Sequence, residues 1–308
     1  METFCRYRQL ILYWRQLFAA FLCFQKGLNV QQALEFPLAN VTLRGIGYGD
    51  PCKPMILALH GWLDNAASFN PIADYLSDYY IVALDITGHG LSSHRTDGAH
   101  YHLIDFPYDL HELVDSQGWQ SFILMGHSMG GIIATIYASC FPEFVSKLIS
   151  IESFGPMTKD PQSSPIQLRD SILSRLKAQK SEAKHPRSIE RTVEARAMVG
   201  DIKLESARLL ITRNIREENQ QLYFTTDRRL RTFSSLRMTE SQAEAFMRNI
   251  QCPTLVITGS QGYESMRTAL HKRLDWVKDL VMVECEGFHH LHMDNPQPVA
   301  NAIVCFLS

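Results

Sequence analysis

The segment Ser121-Phe-Ile-Leu-Met125 runs without a spacer into Gly126-His-Ser-Met-Gly130 and then into Gly131-Ile-Ile-Ala134. An apolar strand is thus followed by a turn too tight for side chains at its two glycines, and then by an apolar helix that starts at Ser128. The turn strains the serine and lifts its hydroxyl out at the carboxyl end of the strand, where the amides and dipole of the helix N-terminus favour negative charge. Strand and helix must pack directly on each other, which requires a sheet with helices laid on its face.

The rest of the chain fits that requirement. Apolar β-rich runs at 41–48, 55–59, 80–85, 121–125, 147–151, 254–258 and 280–284 alternate with helix-length segments at 68–76, 104–117, 129–140, 264–275 and 298–306. This alternation predicts an α/β fold with a mostly parallel sheet covered on both faces. About a hundred residues separate the run ending at Ile151 from the one starting at Thr254, far beyond an ordinary connection. A helical lid inserted over 156–250 accounts for the gap: Ile202, Leu204, Ala207, Leu210 and Ile211 have helical spacing, and Thr239-Glu-Ser-Gln242 is a capping box. The lid carries 18 Lys+Arg against 12 Asp+Glu and the remainder 12 against 20, read as a charged helical face rather than a phosphate site. The expected organisation is an N-terminal extension over 1–33, for which a helix is one of the readings, a core over 34–155 and 251–308, and the lid between.

With 45% hydrophobic and 20% charged residues and a net charge of −2, the 308-residue chain has the balance of a cytoplasmic globular protein and not of a nucleic-acid binder. Its seven cysteines are scattered with no C-x-x-C pair and read as reduced core thiols. The apolar stretch 10–24 is interrupted by Arg15 and Gln16 and is too short to span a bilayer. With Arg6, Arg8 and Tyr13, Trp14, Phe18 and Phe21 it reads as a docked helix, a leader, or an interfacial helix giving peripheral membrane contact through residues 1–33. A monomer or homodimer acting on a small molecule is expected.

Chemistry concentrates at strand ends. Met55-Ile-Leu-Ala-Leu-His60-Gly61-Trp62 brings the Trp62 amide to the place where, with the Met129 amide, it would hold an oxyanion. His60 either orders this loop or touches substrate, and Phe154 and Met157 are candidates for the substrate pocket. A general base for Ser128 should come from Gly287-Phe-His289-His290-Leu-His292. The spacing of these histidines and Asp294 fits no metal-ligand pattern, so neither a metal nor another cofactor is expected. An acid to orient the base belongs at a strand end between Ser128 and the histidines. Glu152 closes the strand beside the turn, Glu264 follows the strand at 254–258, and a dyad without an acid is the remaining option. Asp85 closes the strand at 80–85 and pins the turn after it.

Together, His60-Gly61, Gly126-His-Ser128-Met-Gly130 and His289, in this order, resemble the α/β-hydrolase superfamily over residues 41–308, with the lid after the sixth strand. Within it, His60-Gly-Trp-Leu-Asp-Asn65-Ala-Ala-Ser-Phe69, Asp227-Arg-Arg-Leu230 and His289-His-Leu-His-Met-Asp294 resemble the kraken-like, or serine hydrolase-like, branch. The resemblance implies Ser128 as nucleophile and His289 as base, chosen for the seven-residue run to Pro296 before the last helix, with His290 the alternative. It also marks a departure, because Gly262 stands where the acid is usually an aspartate. Glu152-Ser-Phe-Gly-Pro156 resembles haloalkane dehalogenases, which carry an acid at this place but use an aspartate nucleophile. The expected activity is hydrolysis of small or medium carboxylic esters, with thioesters and amides as neighbours. The alternative is a non-catalytic member of the fold that binds a ligand under the lid; dehalogenase and epoxide hydrolase chemistry ranks below both.

Overall fold

In every strand of the central sheet that is covered on both sides, alternate residues feed two separate cores. Ile56, Ala58, Ile123, Met125, Ile149 and Ile151 belong to one apolar cluster, while Leu57, Leu59, Phe122, Leu124 and Leu148 belong to the other. A computed structural model describes residues 31–182 and 185–308. Its strands are β1 (Gln31–Pro37), β2 (Thr42–Tyr48), β3 (Met55–Leu59), β4 (Tyr80–Asp85), β5 (Phe122–His127), β6 (Val145–Ile151), β7 (Ile215–Glu218), β8 (Gln221–Phe224), β9 (Thr254–Gly259) and β10 (Leu280–Cys285). Its longer helices are α1 (Phe106–Gln117), α2 (Met129–Cys140), α3 (Ser164–Lys180), α4 (Ile189–Val199), α5 (Leu204–Arg213), α6 (Glu240–Arg248), α7 (Glu264–Arg273) and α8 (Pro296–Leu307).

The eight-stranded sheet has the order β1-β2-β4-β3-β5-β6-β9-β10, parallel from β4 to β10 and antiparallel at β1-β2 and β2-β4. This is the α/β-hydrolase fold that the sequence predicts. The order reverses between β3 and β5, and crevices outside the carboxyl ends at such a switch are where ligands bind in open α/β sheets. Register brings the ends together: Leu59 pairs with Gly126, and His127 with Ile151.

Several expectations change in detail. β1 begins at Gln31, so the first core strand overlaps the segment assigned to the extension, whose residues 1–30 lie outside the described ones. The lid is not wholly helical: α3, α4 and α5 are joined by the β7-β8 hairpin, whose strands pair antiparallel. The capping box at Thr239 is present, but α6 packs into the main core through Ala243 and Met247, and Asn249 Nδ2 donates to Ser139 O at 2.7 Å. Its apolar stripe matches the helix layer of the sheet, not the lid. The segment 68–76 forms short helical turns, because Pro71 and the neighbouring 3-10 geometry break a continuous helix.

The thiols also differ from expectation. Among the described residues, Cys52 is disulfide-bonded, Cys140 and Cys305 are free and exposed, and Cys252 and Cys285 are free and buried; Cys5 and Cys23 lie outside them. Sequence spacing does not report which thiols meet in space. No helix among the described residues is long and apolar enough to cross a membrane.

The helix α2 lies against the end of β3 so closely that a Cβ on Gly130 would overlap the carbonyl oxygen of Leu59, and one on Gly126 would overlap that of Gly130. These atoms are main chain and cannot rotate aside. Gly130→Ala is therefore expected to lower unfolding free energy by about 1–3 kcal/mol, measured by denaturant titration. An unchanged midpoint would contradict the close approach.

Candidate active site

Ser128 is the hinge between β5 and α2, with φ 51° and ψ −116°, a conformation that L residues rarely occupy. It persists because both main-chain groups are held: Ser128 N donates to Ile151 O at 2.9 Å, and Ile132 N donates to Ser128 O at 3.1 Å. The hydroxyl does not cap the helix. Ser128 instead lines a cavity of about 1600 Å³ between core and lid, together with Trp62, Tyr263, His289 and His290.

The amides of Trp62 and Met129 donate to no acceptor among the described residues. For Met129 this follows from its place at a helix N-terminus, whose first amides have no intrahelical partner. The loop carrying Trp62 is fixed from both ends. His60 is fully buried, its Nε2 accepts from Ile86 N at 3.0 Å, and its Nδ1 lies 2.7 Å from Gly61 O. Burial above all lowers the pKa of His60, and this neutral ring bridges the ends of β3 and β4.

The substrate roles considered for His60, Phe154 and Met157 do not match their positions. His60 spends both ring nitrogens on the loop. Phe154 is buried in the core, and its carbonyl accepts from Arg273 Nη1 at 3.1 Å. Met157 is exposed, and none of the three lines the cavity. The reason is direction: past Glu152 the chain turns toward α6, where Lys159 N bonds Met238 O at 3.0 Å, instead of rising over Ser128.

Glu152 follows β6 directly and also has positive φ, 50°. Its amide donates to Ile257 O at 2.8 Å, so the chain is pinned to β9 where it turns. The buried carboxylate accepts from Gly259 N at 2.7 Å through Oε1 and lies 3.1 Å from His289 Nδ1 through Oε2. An ionised carboxylate only accepts, so Nδ1 carries the hydrogen and Nε2 keeps the lone pair a general base requires. Tyr263 packs against the ring of His289, centroids 4.3 Å apart. No hydrogen bond joins Ser128 Oγ to His289 among the described residues; in substrate-free sites this contact commonly tightens only in the reacting complex.

Glu264, the other acid considered, is an exposed residue opening α7. Gly262 explains the exchange of positions, since a Cβ there would overlap the Glu152 carboxylate oxygens. The two sites for an acid share one volume.

A family profile described as alpha/beta hydrolase fold matches residues 54–295. The chain belongs to the α/β-hydrolase fold family. Serine hydrolase-like protein 2 of Homo sapiens is 31% identical over 300 residues, covering 91% of this chain and 95% of that protein. The serine hydrolase-like protein of Danio rerio is 29% identical over 279 residues, covering 86% and 85%. A hypothetical protein from Pseudomonas aeruginosa PAO1 superposes with a TM-score of 0.85 at 33% identity, covering 92% of this chain and all of its own. The chain is thus a member of the serine hydrolase-like branch.

Around the Ser128–His289 pair, this α/β-hydrolase holds a second polar network that sequence reasoning missed. Asp64, 1% exposed, lies 3.1 Å from His290 Nε2 and accepts from Arg196 Nη2 at 3.1 Å. His127, the residue before Ser128, has Nε2 2.8 Å from His289 O and so ties the turn at Ser128 to the loop of His289. His290, the alternative base, faces Asp64, and His292 Nε2 lies 2.7 Å from Ser68 Oγ. Asp64, His127 and His290 offer ligand atoms within 4.8 Å of one another, a cluster the linear spacing did not suggest. The cation seated on it is the Arg196 guanidinium, which also lies 3.3 Å from His290 Nε2. The signal available in sequence was the local company of Asp64 and His127 in the two strand-end motifs; pairing with a lid arginine carries no such signal.

Burial pushes the Asp64 carboxyl up, but His290, Arg196 and His127 outweigh it and hold the group well below the usual carboxylate range. Burial also lowers the histidines, to about 3 for His89 and His292, and His127 falls well below its ordinary value because neighbouring imidazoles add to its desolvation. The unfolded chain takes up these protons near pH 6.5, whereas the folded one refuses them until far lower. Folded-state pKa values below unfolded ones mean that stability is greatest above pH 6.5 and falls as the solution is acidified toward about 3. The expected slope is on the order of 1 kcal/mol per pH unit for each neutral histidine. Thermal unfolding between pH 7.5 and 4.5 checks this; a Tm that holds or rises on acidification would contradict it.

Proposed function

We propose that this chain is a serine hydrolase that cleaves small or medium carboxylic esters through an acyl-enzyme, with thioesters and amides as chemically adjacent substrates. The observation that carries the reading is the contact of His289 Nδ1 with the buried Glu152 carboxylate at 3.1 Å, beside a strained Ser128 opening into the same cavity. Ser128 Oγ attacks the carbonyl carbon while His289 Nε2 takes its proton. The oxyanion is held by the Trp62 and Met129 amides, and loss of one such donor typically costs about 3–4 kcal/mol. The tetrahedral species collapses as His289 returns the proton to the leaving oxygen and the alcohol departs. Water then attacks the acyl carbon, gives a proton to His289, and Ser128 recovers it as the carboxylic acid leaves. The names of the relatives support the same reading.

The Glu152 carboxylate, lying where a side chain at Gly262 would have to go, supports the catalytic reading over a binding-only member of the fold. A serine at 128 also disfavours the alkyl-ester route of dehalogenases.

Intact-mass labelling with a fluorophosphonate is expected to modify wild type once and Ser128→Ala not at all. Loss of the orienting acid lowers turnover by about 10⁴-fold in the serine-protease case, and Glu152→Gln should slow labelling and p-nitrophenyl ester hydrolysis on a comparable scale. Folded wild type that resists the probe would refute the reading.

Gly262→Ala should displace the Glu152 carboxylate and reduce kcat/KM by at least about tenfold, because His289 loses its orienting partner. In Glu152→Ala/Gly262→Asp, an acid returns from the other strand, and the same ester assay should recover part of the activity lost in Glu152→Ala. No effect of Gly262→Ala would contradict the shared volume.

A further inference from the structure

The cavity that Ser128 opens into extends to the first lid helix, where two buried nitrogen atoms have no hydrogen-bond partner among the described residues: His100 Nδ1 and Arg175 Nε. Arg175 comes from α3, and its Nη2 donates to Ser235 Oγ at 2.7 Å, which fixes one edge of the guanidinium and leaves the Nε edge unused. His100 comes from the segment between β4 and α1. Burial lowers its pKa first, and the charges that add to this are Arg175, His102 and Arg229, with no carboxylate among them. Arg229 is already matched by Asp227, at 2.7 Å, which in turn accepts from Tyr101 Oη at 2.7 Å, so that acid has little capacity left for the pair.

Buried polar nitrogens without a partner, one of them on a guanidinium, are costly unless something completes them. An anion bound there would accept from Arg175 Nε and from His100 in its Nδ1–H tautomer, and would be held by the guanidinium charge as well. Leu173 and Phe233, both more than half exposed, line the same cavity and offer an apolar wall to a hydrocarbon chain. Asp97, Asp170 and Glu182 also line it, but none is among the charges acting on His100.

We infer that His100 and Arg175 form an oxyanion subsite at the lid end of the cavity, which selects esters whose acyl chain ends in a carboxylate or phosphate. As a statement about substrate this rests on the hydrolase reading of Ser128; as a statement about binding it stands alone, and the test separates them. Mono-p-nitrophenyl esters of linear dicarboxylic acids, in a chain-length series, are compared with the same compounds capped as ω-methyl esters. At the best length, wild type should favour the free carboxylate by about tenfold or more in kcat/KM, the scale of one charge-assisted hydrogen bond. Arg175→Gln and His100→Gln should each lower that ratio, through KM more than kcat. A ratio near one in wild type at every length, or one that survives both substitutions, would overturn the inference.

Calorimetric titration of Ser128→Ala with suberate and, separately, with inorganic phosphate needs no turnover and distinguishes the two anions. Binding of either that Arg175→Gln weakens about tenfold or more supports the subsite even where no ester is cleaved. Binding of neither, or binding indifferent to Arg175→Gln, overturns it.

Discussion

A buried carboxylate with a defined set of acceptor bonds is the constraint from which the rest of the site follows. Glu152 is 2% exposed and is satisfied by Gly259 N and His289 Nδ1. A charge so placed is tolerated only while both partners hold, since an unpaired buried charge costs several kcal/mol. Its position therefore dictates the tautomer of His289, demands a turn at positive φ after β6, and forbids a side chain at Gly262. The parallel sheet makes this economical in structure: β5, β6 and β9 end side by side, so Ser128, Glu152 and the Gly259 amide that holds the carboxylate sit on neighbouring strands.

The loop at 60–65 ties the same centre to the lid. Trp62 Nε1 donates to Leu230 O at 3.0 Å, Asn65 Nδ2 to Leu210 O at 2.8 Å, and Asn214 Nδ2 to Leu63 O at 3.1 Å. Arg196 reaches Asp64, and Arg213 reaches Asp85 at 2.7 Å, while Asp85 also accepts from Ala66 N and Leu91 N. The segment bearing the Trp62 amide is thus also one of the lid's anchors. Neutral buried histidines brace the remaining joints without adding charge, at the cost of stability in acid.

Legibility followed the range of the interactions. The elbow is local: apolar strand, two glycines and apolar helix occupy contiguous residues, and α2 spans Met129–Cys140 as its pattern predicts. Seven of the eight strands of the sheet are likewise local in their apolar runs, with ends differing by at most two residues, whereas β1 falls outside the predicted runs. The place of Glu152 beside the elbow is local as well, because its position at the end of β6 alone brings it near β5. Phe154 and Met157 were misjudged because the direction a chain takes after a strand depends on distant partners such as Met238. Asp64 with Arg196 and His290, like the layer to which α6 belongs, is set by contacts between remote segments. The β7-β8 hairpin escaped notice because its strands are short and largely exposed, without a strong apolar alternation.

The most direct test of the Ser128–His289–Glu152 assignment is the low-field proton NMR spectrum, in which a hydrogen shared between imidazole Nδ1 and a carboxylate stands apart from other signals. Wild type should show one such resonance from His289, absent in His289→Gln and retained in Ser128→Ala. In Glu152→Gln it should move upfield or vanish, because the carboxylate that polarises it is gone. A resonance left unshifted by Glu152→Gln would mean that another group orients His289, and Glu152 would lose its place in the mechanism.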